Sequence, residues 1–415
     1  MRLTMTERKA VTKAVCERYR KAGKKAKGRM LDEFVETTGH NRVYAARILR
    51  NHGRRVEVAP SRFVEGDVRL RPERLRKRTY TKEVVDVLKK LWVMLDYITA
   101  KRLKPALPGL IERLDACKEL RLKKDVRAKL VAISPASIDR LLKDARAAHT
   151  LKGRHHTKPG TLLKQQIPVR TFSDWDDLRP GFLEIDLVGH EGGVLKGDFC
   201  CTLDMTDVAS GWTEQVAVMN KAQMHVFIGI KSVRARLPFE VLGIDSDNGG
   251  EFINGQLRRY CDEEKITFTR SRPYRKNDNC YVEQKNWSIV RRFAGYARYE
   301  SAAACAALNE LYELLRDYNN FFLPSMKLKE KIRDGAKVRK TYHPAKTPYL
   351  QLLESPDLAQ EAKDKLTARY NTLNPALLHR KILATQKKLR SLATRTHHHA
   401  AAERSLDEFI AFVPI

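Results

Sequence analysis

Phe182-Leu183-Glu184-Ile185-Asp186-Leu187-Val188 is the stretch on which the reading of this chain turns. It is an apolar run of strand length, and Glu184 and Asp186, two positions apart, share one face of it. After the turn signal Gly192-Gly193 a second strand is expected over 198–204, with Phe199, Cys201 and Leu203 on one side. A third, over 211–218, alternates about Trp212, Val216 and Val218. A helix follows over about 222–237. The strand 240–245 then runs into Ser246-Asp247-Asn248-Gly249. A helix over 254–264, a strand over 266–270, the polar loop Pro273–Asn279 and a helix over 280–293 carrying Glu283 complete the block.

Three strands, helix, strand, helix, strand, helix is the order of an RNase H-like α/β domain, a mixed five-stranded sheet with helices. Residues 181–293 also resemble the catalytic core of the retroviral integrase superfamily, the branch shared with the DDE transposases of bacterial insertion sequences. That family places an Asp within the first strand, Asp-Asn-Gly after the fourth, and a Glu on a following helix. Asp186 in Glu-Ile-Asp-Leu, Asp247 in Ser-Asp-Asn-Gly and Glu283 in Tyr-Val-Glu-Gln-Lys-Asn match in order. The 35 residues from 248 to 282 are the family's spacing. Pro273-Tyr274 and Asn286, one helical turn beyond Glu283, match as well, whereas at Cys280 the family more often has a small residue. The resemblance implies DNA strand cleavage and strand transfer, with Asp186, Asp247 and Glu283 as catalytic residues.

Chemistry supports the same assignment. Cutting a phosphodiester requires an activated water or hydroxyl and a stabilised leaving oxygen, and two Mg²⁺ ions roughly 3.5–4 Å apart supply both. Hard cations take carboxylate oxygens. Asp186, on a central strand, is expected to bridge two Mg²⁺ ions, with Asp247 on one and Glu283 on the other; Mn²⁺ should substitute, and Zn²⁺ should not help because no Cys or His joins the triad. Asp245 shares a strand face with Asp247 and is its rival; Asp247 is preferred because Asn248-Gly249 follows it. Glu184 is an alternate ligand. Asp204 and Asp207 read as turn or hairpin residues. Arg275, Lys276 and Asn277 in the loop, and Lys285, Asn286 and Arg291 on the last helix, are candidate DNA contacts.

The flanks are basic and helical. Over 1–55, Arg29–Val35 has helical apolar spacing, Thr37–Asn41 breaks it, and Arg42–Arg50 resumes it. This is the outline of a helix-turn-helix. In it Asn41, Arg42, Tyr44, Arg47 and Arg50 face DNA while Val43, Ala46 and Leu49 pack. Residues 56–80 read as a basic linker or minor-groove arm. Residues 81–149 are a second helix-turn-helix-like DNA-binding unit, with an apolar stripe through Val84, Val85, Leu88, Leu91, Trp92 and Leu95. There Ser134 caps a helix that Pro135 opens, and Ser137, Arg140 and Lys143 are placed to meet DNA. A second basic linker over 150–178 precedes the catalytic core, 179–300, and 301–415 reads as a basic helical C-terminal region.

The 415 residues carry 80 Lys and Arg against 50 Asp and Glu, a formal charge of +30, which favours a polyanionic partner. Double-stranded DNA, both element ends and target, is the expected partner, bound by a homo-oligomer. Seven cysteines without a C-x-x-C spacing argue against a zinc ribbon and against a disulfide framework. They fit a reducing cytoplasm, and DNA binding would place the protein at the nucleoid of a bacterial host. No apolar stretch is long enough for a membrane span, and His397-His398-His399 reads as solvated surface. Two other readings share these features: a catalytically idle DNA-binding regulator, and a nuclease of the same fold without strand transfer.

Overall fold

A computed structural model describes residues 3–59, 62–65, 79–149, 179–246, 252, 255–270, 280–335 and 337–394. The chain divides into two compact units, Met1–Thr79 and Tyr80–Ile415.

In the first unit, α1 (Met5–Lys21), α2 (Lys24–Thr38) and α3 (Arg42–Asn51) enclose Cys16, Tyr19, Leu31, Phe34, Ala45 and Leu49. Gly39 ends α2 in the left-handed region at φ 66°, and Asn41 caps α3 by accepting the Val43 N–H at 2.9 Å. The expected packing face of α3 is corrected. Ala45 and Leu49 are its buried pair, whereas Val43 is 79% exposed. An i, i+4 pair fills the narrow seam between α1 and α2, which turns Val43 to the outer face. The stretch read as a linker begins as a hairpin, β1 (Arg55–Ala59) against β2 (Arg62–Glu65), with Val56 opposite Val64.

The second unit opens with α4 (Lys82–Met94), α5 (Ala100–Ala116), α6 (Lys124–Ala132), α7 (Pro135–Leu141) and α8 (Lys143–His149). Ser134 caps α7 through the Ser137 N–H at 3.2 Å, and Trp92 is core. These helices do not close around an interior of their own. Val84, Leu88, Leu103, Leu107, Leu130 and Ile138 belong to one apolar cluster with Trp212, Phe321, Phe322, Leu352, Leu366 and Leu378 from later in the chain. Helices this short expose part of their apolar face unless a further layer covers it.

The sheet is formed by β3 (Phe182–Gly189), β4 (Cys201–Asp207), β5 (Thr213–Val218), β6 (Gly243–Ser246) and β7 (Thr267–Arg270) in the order β5-β4-β3-β6-β7. The first three strands pair antiparallel, and β6 and β7 add in parallel. This is the RNase H-like topology, with β3 at its centre. α9 (Gln223–Arg234) and α10 (Gly255–Glu263) cover one face, where Leu183, Ile185, Leu203 and Met205 meet Val226, Ile230 and Leu257. The opposite face carries Glu184 and Asp186. α11 (Cys280–Lys285), a π-helical continuation over Asn286–Ala294 and α12 (Ala302–Phe322) cover it. With helices on both sides, every residue of β4 is buried.

Past α12, within the region read as mostly helical, β8 (Leu328–Asp334) and β9 (Lys337–Tyr342) form an antiparallel hairpin. α13 (Pro348–Glu354), α14 (Gln360–Thr372) and α15 (Pro375–Ser391) then pack back on the unit, α15 against α12 through Ile382 and Leu389. No helix among the described residues is long and apolar enough to cross a membrane.

Candidate active site

Asp186 sits mid-way along β3, directly opposite Asp204 of β4. Its carboxylate is half-exposed. One oxygen accepts the Leu187 N–H at 2.8 Å and the other the Asn286 side-chain amide at 2.5 Å. Asn286 lies three residues after Glu283 on a continuous helical run, so the two share a face. Glu283 is exposed. The helix is therefore docked with its Asn on Asp186 and its Glu one turn away. The other amide atom, Asn286 Oδ1, is buried with no hydrogen-bond partner among the described residues.

Glu184 performs a different task from the ligand role considered for it. Its side chain is buried at 3% exposure, and Oε2 accepts the Tyr281 N–H at 2.8 Å and the Val282 N–H at 3.0 Å. Those amides belong to the first turn of α11, which has no earlier carbonyl to bond. Glu184 thus ties the helix bearing Glu283 to the strand bearing Asp186.

Asp204 is not a turn residue. It lies within β4, fully buried, accepting from Thr213 Oγ1 at 3.1 Å and Gln215 Nε2 at 3.0 Å. Burial pushes its pKa up to about 7, opposed by those hydrogen bonds and by the Lys285 charge. Lys285 is half-buried; burial pushes its pKa down to about 8, while Asp204 pulls the other way. Lys285, expected as a DNA contact, thus has the Asp204 charge of β4 within electrostatic reach. Asp207 does serve a turn, accepting from Gly181 N at 2.8 Å and Ser210 N at 2.6 Å.

Asp247, Arg275, Lys276 and Asn277 lie outside the described residues. The rival Asp245 is within them and accepts the Thr269 hydroxyl at 2.6 Å. Arg291 sits over the Tyr296 ring at 5.0 Å and 4.0 Å from Glu191. Arg42, Arg47 and Arg50 are exposed on α3, where Arg42 pairs with Asp32, and Tyr44 stands beside them. Arg140 and Lys143 are exposed, whereas Ser137 is buried and bonded to Ser134 Oγ at 3.0 Å.

A cavity of about 430 Å³ opens beside Asp186, bordered by Asn286, Arg291 and Lys221. Among the described residues no three His, Cys, Asp or Glu side chains gather as a metal site. The donors that do face the cavity, the Asp186 carboxylate and the neighbouring Asn286 amide, are hard oxygen and amide groups. Together with the unpaired Asn286 Oδ1, they suit a hard divalent cation better than a soft one. The sequence singled out Asp186 for this site and Asn286 only as a DNA contact; the Asn286–Asp186 hydrogen bond, the Glu184 clamp and the Asp204–Lys285 attraction were not foreseen. An acid two residues before Asp186 in an apolar strand was the available signal for the Glu184 clamp.

No family model matches the chain. Similar solved structures include the HTLV-2 integrase catalytic core domain in complex with magnesium, at 18% identity and TM-score 0.23. That match covers 28% of this chain and 72% of the other. The catalytic core domain of BIV integrase is similar at 19% identity and TM-score 0.27, covering 42% of this chain and 95% of the other. Among curated proteins, "Uncharacterized protein y4rM" of Sinorhizobium fredii is 40% identical over 347 residues, which span 84% of this chain and 95% of that protein. By that extent of identity the chain belongs to the same family as protein y4rM.

Proposed function

We propose that this protein is a DDE-type transposase or integrase that cuts DNA at the ends of a mobile element and joins them to target DNA. The observation that carries the reading is the Asn286 amide 2.5 Å from Asp186, with Glu283 one turn earlier on the same helix. A carboxylate held on a central strand of an RNase H-like sheet and a second presented by a docked helix are the parts that phosphodiester cleavage requires.

Asp186, Asp247 and Glu283 would hold two divalent cations, Mg²⁺ or Mn²⁺. Cations held there would supply Lewis acidity at the scissile phosphate and lower the pKa of the attacking water or hydroxyl. The chain's own residues set the geometry. Asn286 orients the Asp186 carboxylate, and Glu184 fixes the helix that presents Glu283. Lys221 and Arg291 border the same cavity, with Glu191 4.0 Å from Arg291, and would attract the phosphates on either side. Water attack releases a 3′-OH, and that hydroxyl then attacks a phosphodiester of the target.

DNA recognition is assigned to α3, whose outer face offers Arg42, Arg47 and Arg50 for phosphates and base edges. Val43 and Tyr44, 79% and 52% exposed, are suited to thymine methyl groups. Arg140, Lys143 and the loop residues Arg275, Lys276 and Asn277 extend the proposed contacts, and the protein is proposed to act as a homo-oligomer on DNA. The test is nicking of a supercoiled plasmid with Mg²⁺, Mn²⁺ or EDTA. Open circles in either metal and none in EDTA are expected; DNA retention without nicking in any metal would leave a DNA-binding regulator. A joined product with a second DNA distinguishes transposase from nuclease.

A further inference from the structure

Residues 191–198 leave the sheet after β3 and return as a loop beside Asp186. One side chain holds it. Arg298, 6% exposed, donates from Nη1 to the carbonyls of Glu191 at 3.2 Å and Val194 at 2.6 Å. From Nη2 it donates to Lys196 at 3.0 Å and Asp198 at 3.2 Å, and its Nε meets Glu300 at 2.6 Å. The backbone of Gly192, at φ +60°, lies so close to Arg298 that a Cβ there would stand 2.6 Å from the arginine's own Cβ. Four carbonyls on one buried guanidinium and a backbone contact that only glycine permits make this a rigid loop.

What the loop presents is Leu195, 82% exposed. A leucine left in water forgoes about 1.5–3 kcal/mol of burial. Here it stands at the mouth of the cavity that Asp186, Asn286, Lys221 and Arg291 border, with Phe199 in the wall. At about 430 Å³ that cavity lies toward the small end of single-ligand pockets (~300–1,000 Å³). Glu191 lines it too and lies 4.0 Å from Arg291, which leaves Lys221 as the cation for a phosphate, and Phe199 offers an apolar surface to a base.

We propose that Leu195 is a wedge that opens the base pair beside the phosphate engaged at Asp186, and that the cavity receives the freed nucleotide. This rests on the reading that Asp186 acts on DNA. Rigid apolar side chains inserted at base steps unstack duplexes at a cost of a few kcal/mol per step. A substrate already unpaired at that step escapes the cost.

The test uses the full chain in EDTA, titrated with a labelled duplex and with the same duplex carrying one mismatched pair. Wild type is expected to prefer the mismatched duplex by about tenfold, equivalent to about 1.4 kcal/mol. Leu195→Ala should bring the two within about twofold, and Leu195→Phe should keep the preference. Because Leu195 is a solvent-facing residue, its replacement leaves the fold intact. Equal wild-type affinities, a preference that survives in Leu195→Ala, or an equal loss on both duplexes would overturn the wedge. Nicking in Mn²⁺ is scored separately: a wild type that prefers the mismatch but never nicks supports the wedge and overturns the catalytic reading.

Discussion

Replacing Glu184 should damage the site without touching any atom that reacts. Its Oε2 accepts two backbone N–H groups, at 2.8 and 3.0 Å, in the first turn of the helix bearing Glu283. Hydrogen bonds to a charged group contribute about 1.5–3 kcal/mol each, and buried amides left unpaired carry their own penalty. Taking the low end for two bonds, Glu184→Ala should lower unfolding free energy by about 3 kcal/mol. Glu184→Gln keeps an oxygen acceptor and should lose about 1 kcal/mol. Both are read from urea midpoints at unchanged slope. The functional effect should be larger than the loss of folded protein. A displacement of about 1 Å in a catalytic group costs on the order of 10²-fold in rate. Nicking by folded Glu184→Ala should fall by about that factor, with Glu184→Gln largely rescued and DNA affinity unchanged. An alanine variant within about 0.5 kcal/mol of wild type, or one as active as wild type when folded, would refute the clamp.

His190 gives a pH prediction. It is fully buried, with Nε2 2.7 Å from Thr202 Oγ1, and burial, aided by the Arg291 charge, pushes its pKa down to about 3. The unfolded chain takes up a proton below about pH 6.5 and the folded chain does not, so stability falls as pH drops from 6.5 toward 3, by about 1.4 kcal/mol per unit. His190→Gln should remove that share of the acid sensitivity in denaturation curves at pH 7 and 5; an unchanged pH difference would contradict it. For DNA recognition, Arg42 and Arg47 replaced together should abolish preference for the element end in footprints of the full protein. Unchanged footprints would make α3 a structural helix.

The sheet and its order were legible because each strand is a short apolar run closed by turn residues, and because a period of two separates Leu183 and Ile185 from Glu184 and Asp186. Asn286 stood out by its one-turn offset from Glu283, but as a DNA contact; its hydrogen bond to Asp186 was not foreseen. Buried polar partnerships were not legible. Glu184 reads as a surface or ligand acid until Tyr281 and Val282, nearly a hundred residues later, supply the amides it accepts. Asp204 looks like a hairpin residue because its strand is displaced three residues from the expected 198–204, and only that register places it opposite Asp186. The face of α3 was misjudged at Val43 because three helices of this length leave room for just two of its residues. The helices over 81–149 looked self-sufficient because their stripe is continuous, but its outer edge packs on Phe321 and Leu352, which local periodicity does not reveal. The hairpin Leu328–Tyr342 was hidden by charge: Lys and Arg on both faces blur the alternation that marks a strand.

The central claim is that Asp186, Asp247 and Glu283 together carry metal-dependent strand cleavage. The most direct measurement is nicking in Mg²⁺ and Mn²⁺ by Asp186→Asn, Asp247→Asn, Glu283→Gln and, beside them, Asp245→Asn. Asp245 already has a partner in Thr269, 2.6 Å away, and is assigned no metal. The first three are expected to bind DNA as wild type does and nick none of it, whereas Asp245→Asn stays active. Activity within about tenfold of wild type, a barrier change of about 1.4 kcal/mol, in any of the three would remove that residue from the site. An inactive Asp245→Asn beside an active Asp247→Asn would move the second carboxylate by two positions and contradict the triad as assigned.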